Sequence, residues 1–345
     1  MNQRLSRLRN ILRKKDIGSM ILSHPANVSY LTGFPTNDSY LFLDERDTFL
    51  ITDSRYSSEY QKNLKDSEIK ILELDKSLIH TIGNFKVRRL AFEQKYVSFY
   101  FYEKLKSIFA DKLIPVNDLT EGLRIIKEKQ EVELIKKAVS ITLDTLKHVK
   151  KILKPGIREV EVAAEIERYI RYKGAAKSSF DTIVASGPNS SFPHAKITRK
   201  IIRKNEPIVI DLGVDYQGYK SDLTRVFFLG KMDTLFKRVK GITETALDRA
   251  IKAIKPGVPI NYIDKQARDF IKSKGFGDCF RHSLGHGVGL EVHERPRIYA
   301  KNIKTLKSGM VFTLESAIYL NNKFGVRIEE MILVTNKGAE VLSGS

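Results

Sequence analysis

Apolar residues recur along this chain with two different periods, and the change of period divides it. Near the N-terminus Leu5, Leu8 and Leu12 fall at helical spacing. The apolar runs that follow, at 19–22, 40–43, 48–52, 69–72 and 89–92, are short, strand-like and separated by polar or helical stretches. That alternation predicts an α/β domain. From Val132 the pattern becomes one long amphipathic helix, with Ile135, Val139, Leu143, Leu146, Val149 and Leu153 continuing a single face. The stretch LTEGLRIIKEKQE, from Leu119 to Glu131, marks the change, so the expected domains are 1–122 and 123–345.

The second part repeats itself. KPGIREVEVAAEIERYIRYKG begins at Lys154 and KPGVPINYIDKQARDFIKSKG at Lys255, an offset of 101 residues. Each copy follows a long amphipathic helix, the second carrying Leu235, Val239, Ile242, Ala246 and Ala250, and in each copy Pro and Gly end that helix before the next begins. Strand-like runs come after both. The expected architecture is α+β, with two αβ halves related by pseudo-two-fold symmetry and a site drawing residues from both.

Composition narrows the classes. The 345 residues are 42% hydrophobic and 29% charged, in the range of a globular protein. No apolar run is long enough for a secretory or membrane segment. Cys279 is the single cysteine, which excludes an intrachain disulfide and a thiolate cluster and fits a cytoplasmic setting. Sixty Lys and Arg against 41 Asp and Glu give a formal charge of +19. These cations recur along polar helix faces without aromatic interleaving, so a nucleic-acid partner is not expected. The densest run, KITRKIIRK from Lys196 to Lys204, alternates like a strand with one basic face.

Two acidic hairpins carry the chemistry. In VIDLGVDYQGYKSDLTR, Asp211 sits inside an apolar run, and a hairpin centred between Tyr216 and Gln217 would set Asp222 opposite it. In FTLESAIYLNNKFGVRIEEM, a hairpin centred on Asn322 sets Glu315 opposite Glu329. Directly opposed side chains have Cβ atoms roughly 4.5 to 5.5 Å apart, where like charges repel, more so out of water. Solvent-facing acids fit poorly beside Val-Ile-Asp-Leu and Phe-Thr-Leu-Glu. Between them lies RHSLGHGVGLEVHERPRI, with Gly285, Gly287 and Gly289 permitting close backbone approach around His286, and with His293 seven residues on. Four carboxylates and one neutral imidazole carry a formal charge of −4, which two divalent cations balance. An oxygen-rich set of this kind suits Mn, Co, Fe or Zn.

With these motifs in view, the chain resembles the pita-bread metallopeptidases, the creatinase, aminopeptidase P and prolidase family. The resemblance rests on DLGVDYQGYKSDLTR, GHGVGLEVHE, TLES and GVRIEE, with NVSYLTGF at Asn27 and TDSRY at Thr52 resembling the N-terminal domain of the proline-specific members. It implies a creatinase-like α/β N-terminal domain and a pita-bread C-terminal domain. It also implies that Asp211 chelates one metal ion, that Asp222 and Glu329 bridge two, and that His286 and Glu315 complete the other site. Manganese is the first expectation for both ions, with cobalt, zinc or iron as alternatives. In such enzymes the nucleophile is a hydroxide bridging the metals, and Glu315 would take its proton and pass it to the leaving nitrogen.

His194, in SFPHA, and His293 resemble histidines that contact the substrate and stabilise the tetrahedral intermediate. Arg297 occupies the place from which prolidase-like members offer a cation to the substrate's terminal carboxylate; Arg327 and Tyr319 are counted with it among the substrate-binding residues, Arg327 also as an ion pair that supports the site and Tyr319 as part of the pocket lining. The sequence departs from the family's usual Glu-Pro-Gly at Glu315-Ser316-Ala317, and from Pro-His-Gly at Pro193-His194-Ala195. The resemblance is strongest to archaeal or bacterial Xaa-Pro dipeptidases of the prolidase type, with aminopeptidase P activity on longer peptides as the alternative and a metal-free binding protein as a third reading. A small peptide with proline after the scissile bond and a homodimer are the implied partners.

Overall fold

The computed structural model describes residues 2–344. The chain divides into two compact units, 1–124 and 125–345. The first contains helices α1 (Gln3–Lys14), α2 (Pro25–Thr32), α3 (Ser54–Asn63), α4 (Leu78–Gly83), α5 (Phe99–Phe109) and α6 (Leu119–Arg124). Its strands are β1 (Ser19–Leu22), β2 (Ser39–Asp44), β3 (Thr48–Thr52), β4 (Lys70–Glu73), β5 (Leu90–Glu93) and β6 (Leu113–Val116). They form one mixed sheet in the order β4-β3-β2-β1-β5-β6. Ile21, Phe42, Ile51, Leu90 and Phe92 fill its core, and Leu5, Leu8 and Leu12 on α1 are buried as their spacing required.

Helix α6 lies in the first unit. Helix α6 runs on to Arg124, which is buried and donates to Asn27 Oδ1 at 2.8 Å; Asn27 in turn donates to Glu93. That polar anchor, invisible to apolar periodicity, keeps 119–124 with the first unit.

The second unit is built of two similar halves. Helices α7 (Lys129–Ile152) and α8 (Glu159–Tyr172) open the first, and α9 (Thr234–Lys252) and α10 (Ile260–Ser273) the second. The Lys-Pro-Gly and Lys-Gly ends of the repeat are helix stops in both. Gly156 and Gly257 have φ of 100° and 86°, and Gly174 and Gly275 have φ of 91° and 86°, conformations that only glycine adopts cheaply. The first half adds strands β7 (Lys177–Ser178), β8 (Ile183–Ser186), β9 (Pro207–Leu212), β10 (Val214–Tyr216), β11 (Tyr219–Lys220) and β12 (Leu223–Phe228). The second adds β13 (Gly285–Gly287), β14 (Glu294–Ile298), β15 (Val311–Leu320), β16 (Phe324–Thr335) and β17 (Gly338–Val341).

The sheets run β12-β9-β8, β11-β10-β7 and β14-β13-β15-β16-β17, with β12 packed beside β16. Each half has its own apolar core, Ile135, Val139, Val162, Ile166 and Ile210 in one and Val239, Ala246, Ile263, Phe312 and Leu314 in the other. Matching backbone bonds tie each helix pair to the strands. Gly156 N donates to Ile202 O at 2.9 Å, and Gly257 N to Leu306 O at 2.8 Å. Past the loops the offset between halves has therefore grown from 101 to 104 residues, 202 against 306. The larger offset carries Asp211 onto Glu315.

Two local expectations are corrected. The run Lys196–Lys204 forms no strand; Ile201 makes one isolated bridge, to Arg158, and the rest is loop. Its backbone groups bond to the start of α8 rather than to a sheet, with Val160 N donating to Thr198 O and Glu159 N to Lys200 O. The hairpin register around Asp211 also differs, as described next. Among the described residues no helix is long and apolar enough to cross a membrane.

Candidate active site

The second hairpin has the expected register. Glu315 on β15 pairs directly with Glu329 on β16, and Asn322 turns the chain with φ of 57°. In the first hairpin the turn is at Gln217-Gly218, both with positive φ (51° and 87°), so Tyr216 pairs with Tyr219 and Asp211 faces Thr224, not Asp222. A two-residue turn of this kind moves the centre one position beyond that expected. Asp222 falls just before β12, off the ladder. It still lies two residues from Thr224, on the same face, so both aspartates reach one cavity.

That cavity, about 1340 Å³, is lined by Asp211, Asp222, His286, Glu315 and Glu329 together with His194, His282, His293, Arg297, Tyr319 and Arg327. Asp222, His286 and Glu329 each offer a ligand atom within 4.8 Å of the others. His286 Nε2 stands 3.5 Å from Asp222 Oδ2 and 3.9 Å from Glu315 Oε1. Its other nitrogen, Nδ1, is 3.2 Å from the Gly287 carbonyl, an arrangement that leaves Nε2 as the free ligand atom. The glycines beside it give backbone room. A Cβ at Gly285 would come 1.9 Å from Thr313 O, and one at Gly287 2.3 Å from Arg295 O.

Four carboxylates are thus drawn together with little positive charge to match. Burial, and then the neighbouring acids Glu329, Asp211 and Glu315, raise the Asp222 carboxyl well above its ordinary range. Burial followed by Asp211 does the same to Glu329. Glu315 is pushed up to about 8 by burial, against the pull of Arg327. Burial lowers His286 to about 4, with His293 adding to the effect, so the imidazole is neutral. Among the described residues the buried Asp211 Oδ1 atom has no hydrogen-bond partner. An orphaned carboxylate oxygen beside three further acids and a neutral imidazole is a donor set for divalent cations.

Arg327 is the buried cation bonded to this group. Its NH2 donates to Asp211 Oδ2 at 2.6 Å, Nε to Thr224 Oγ1 at 3.0 Å, and NH1 to Tyr319 Oη at 2.6 Å and Pro193 O at 2.9 Å. Thr224 Oγ1 donates to Glu329 Oε2 at 2.8 Å, which closes the link between the halves. Every nitrogen of Arg327 is therefore committed to the protein. Arg297 contrasts with it: it sits on β14 opposite His286, exposed at the cavity wall, and no carboxylate pairs with it among the described residues. His293 packs its ring 4.2 Å from that of His286, and His194 reaches the same cavity from the loop after β8.

His282 was missed from the sequence. It lies in the cavity with Nδ1 3.6 Å from Glu315 Oε2 and Nε2 3.4 Å from Tyr319 Oη, and burial lowers it to about 4. Its position four residues before His286, in the stretch RHSLGH, was the available signal. Thr224, between two strands of the site, gave none.

The signature of metallopeptidase family M24 matches residues 133–336, and that of the creatinase/prolidase N-terminal domain matches residues 4–126. The chain belongs to metallopeptidase family M24. Relatives of this M24 peptidase agree over nearly their whole length. The Xaa-Pro dipeptidase of Pyrococcus furiosus is 35% identical over 99% of this chain and 98% of its own. The structure of the Xaa-Pro dipeptidase from Bacillus anthracis superposes with a TM-score of 0.95 at 32% identity, covering 99% of this chain and 97% of that one. The X-Pro aminopeptidase from Thermotoga maritima matches with a TM-score of 0.89 at 36% identity over 96% of each chain.

Proposed function

We propose that this M24 peptidase hydrolyses the Xaa-Pro bond of dipeptides with two divalent metal ions, manganese first among them. The observation that carries the reading is the meeting of four carboxylates and a neutral imidazole beside the guanidinium of Arg297, where among the described residues one oxygen of Asp211 has no hydrogen-bond partner and no carboxylate pairs with Arg297. Asp211, Asp222, His286, Glu315 and Glu329 would hold the ions, which when bound supply positive charge and make water a nucleophile near neutral pH. The remaining steps belong to the chain. Glu315 accepts the proton of the attacking water and returns it to the leaving nitrogen. Proline makes that nitrogen unusual: its amide is tertiary, with no N–H for a general peptidase to grip.

His194 and His293 face the scissile carbonyl, where hydrogen-bond donors stabilise charge as it develops. Arg327 does not meet the substrate but fixes Asp211 and Tyr319. Arg297 binds the terminal carboxylate, a task suited to a guanidinium. A carboxylate anchor this close to the metal ligands favours a dipeptide over a longer chain. Comparing hydrolysis of Ala-Pro and Ala-Pro-Ala by the manganese-loaded protein tests this; preference for the tripeptide would establish the aminopeptidase P alternative instead.

The same reading includes a homodimer in the cytoplasm and functional domains at 1–122 and 123–345. Phe99 and Tyr100, 77% and 73% exposed on α5, support the dimer by giving the N-terminal unit an apolar surface suited to association. Light scattering of the purified protein at assay concentration tests it, and a monomer would remove it.

A further inference from the structure

Glu159, the first residue of α8, is fully buried, and among the described residues no cation pairs with it. Its carboxylate instead collects donors from the end of β8 and from two places on the segment that follows it. Oε1 accepts from Ser186 N at 2.7 Å and Ser186 Oγ at 2.8 Å, Asn189 Nδ2 lies 3.2 Å from both oxygens, and Thr198 Oγ1 donates to Oε2 at 2.5 Å. A carboxylate out of water requires such donors. The two loop positions are therefore tied, through the acid, to the end of β8. Between them lies His194, exposed at the cavity, with the carbonyl of the preceding Pro193 bonded to Arg327.

The other half shows what this acid replaces. The residue in the place of Glu159 is Ile260, a buried aliphatic at the start of α10. The backbone bonds are the same in both halves: Glu159 N to Lys200 O and Val160 N to Thr198 O in the first, Ile260 N to Lys304 O and Asn261 N to Asn302 O in the second. In the second half the segment entering this junction is β14, held on β13 by strand pairing. In the first half a 3-10 turn at Gly187–Ser191 leads into an unpaired stretch. The carboxylate stands where the ladder is missing.

We propose that Glu159 is a positioning residue for His194: it ties Ser186, Asn189 and Thr198 together and so holds the 187–198 loop with its histidine on the cavity wall. The proposal rests on the reading of His194 as a group that meets the substrate. The loop itself reports on the tie, because Lys196, Arg199, Lys200, Arg203 and Lys204 are trypsin sites in or beside it.

The experiment compares the metal-loaded parent, Glu159→Ala, His194→Ala and the double variant, by limited trypsin digestion and by Ala-Pro kinetics. Expected are cleavage at 196–204 faster in Glu159→Ala by about ten-fold, as local opening becomes easier, and a fall in kcat/KM of about ten-fold that vanishes in the His194→Ala background. A general loss of stability would give multiplicative losses and new cuts throughout. Either result, or an unchanged rate of loop cleavage, overturns the proposal. Should Glu159→Ala not fold, Thr198→Val and Asn189→Ala each remove one donor and are read in the same two ways. A His194→Ala variant as active as the parent overturns the positioning role while leaving the peptidase reading intact. A parent inactive on Ala-Pro strikes the peptidase reading alone, and the trypsin pattern still decides the tie.

Discussion

The two halves of the catalytic unit have the same helices, the same glycine stops and the same backbone bonds to the strands, yet they deliver their acids differently. In the second half a long hairpin without a bulge sets Glu315 opposite Glu329. In the first half the ladder breaks between β9 and β10 and between β11 and β12, so Asp211 stays on a strand while Asp222 leaves it. A duplicated scaffold therefore fixes the cavity, and the turn in each hairpin decides which atoms enter it. The halves are joined chemically by Thr224 and Arg327, which bond to acids of both.

Removing one acid from either half is the strongest way to break this comparison. Asp211→Asn and Glu315→Gln, at matching positions, are each expected to lower kcat by on the order of 10³-fold, the scale of losing one key electrostatic stabiliser. Metal analysis should show less bound metal in both. A variant of one half that retained full activity and full metal content would mean that the halves do not share a centre.

The two arginines sharpen the difference next. Arg297→Ala is expected to raise KM for Ala-Pro by roughly ten- to a hundred-fold with kcat little changed, the mark of lost ground-state binding. The same substitution should leave hydrolysis of the amide Ala-Pro-NH2 almost untouched. Equal effects on acid and amide would remove Arg297 from substrate recognition. Arg327→Lys should instead reduce kcat and thermal stability together, because one ammonium cannot make all four bonds of the guanidinium.

A smaller effect concerns the link itself. Thr224→Val keeps the shape but leaves Glu329 Oε2 and Arg327 Nε each without a buried partner, for a cost of about 1–3 kcal/mol in stability, measurable by denaturant unfolding. A variant as stable as the parent would show that the bridge does not hold the halves.

The same comparison also predicts an effect of pH. In metal-free protein the Glu315 carboxyl lies at about 8 against an ordinary 4.5, raised first by burial. The folded chain then binds more protons than the unfolded one across that window. Its contribution to stability is present at acid pH and is lost as pH rises toward 8; Asp222 and Glu329 shift in the same direction. The melting temperature of metal-free protein should therefore fall from pH 5 to pH 8, by about 2–4 °C for each kcal/mol. Manganese should raise it more at pH 8, and Glu315→Gln should flatten the slope. A metal-free melting temperature that rises over this range in parallel in both proteins would remove the charge repulsion on which the metal centre is argued.

Much of this was legible in the chain. The Lys-Pro-Gly repeat announced two halves because glycine stops are local, and Glu315 with Glu329 could be paired because Asn321-Asn322-Lys323 defines a turn. Asp211 and Asp222 were recognised as partners though their register was one step off, since the break at Gly213 does not disturb the alternation of faces. The basic run at 196–204 misled because alternation alone predicts a strand, whether or not a neighbouring strand exists to pair with it. His282 passed unnoticed because its meaning depends on Glu315 and Tyr319, more than thirty residues away.

What the sequence determined by itself was therefore whatever neighbouring residues encode: periods, helix stops, one turn, and a set of acids too apolar in setting to be solvated. Tertiary structure alone decided that Arg327 would spend all its bonds on the protein while Arg297, among the described residues, met no carboxylate, and that Glu159 would close a loop lacking a ladder. Such pairings join segments far apart in the chain, and packing brings them together without leaving a pattern at either end.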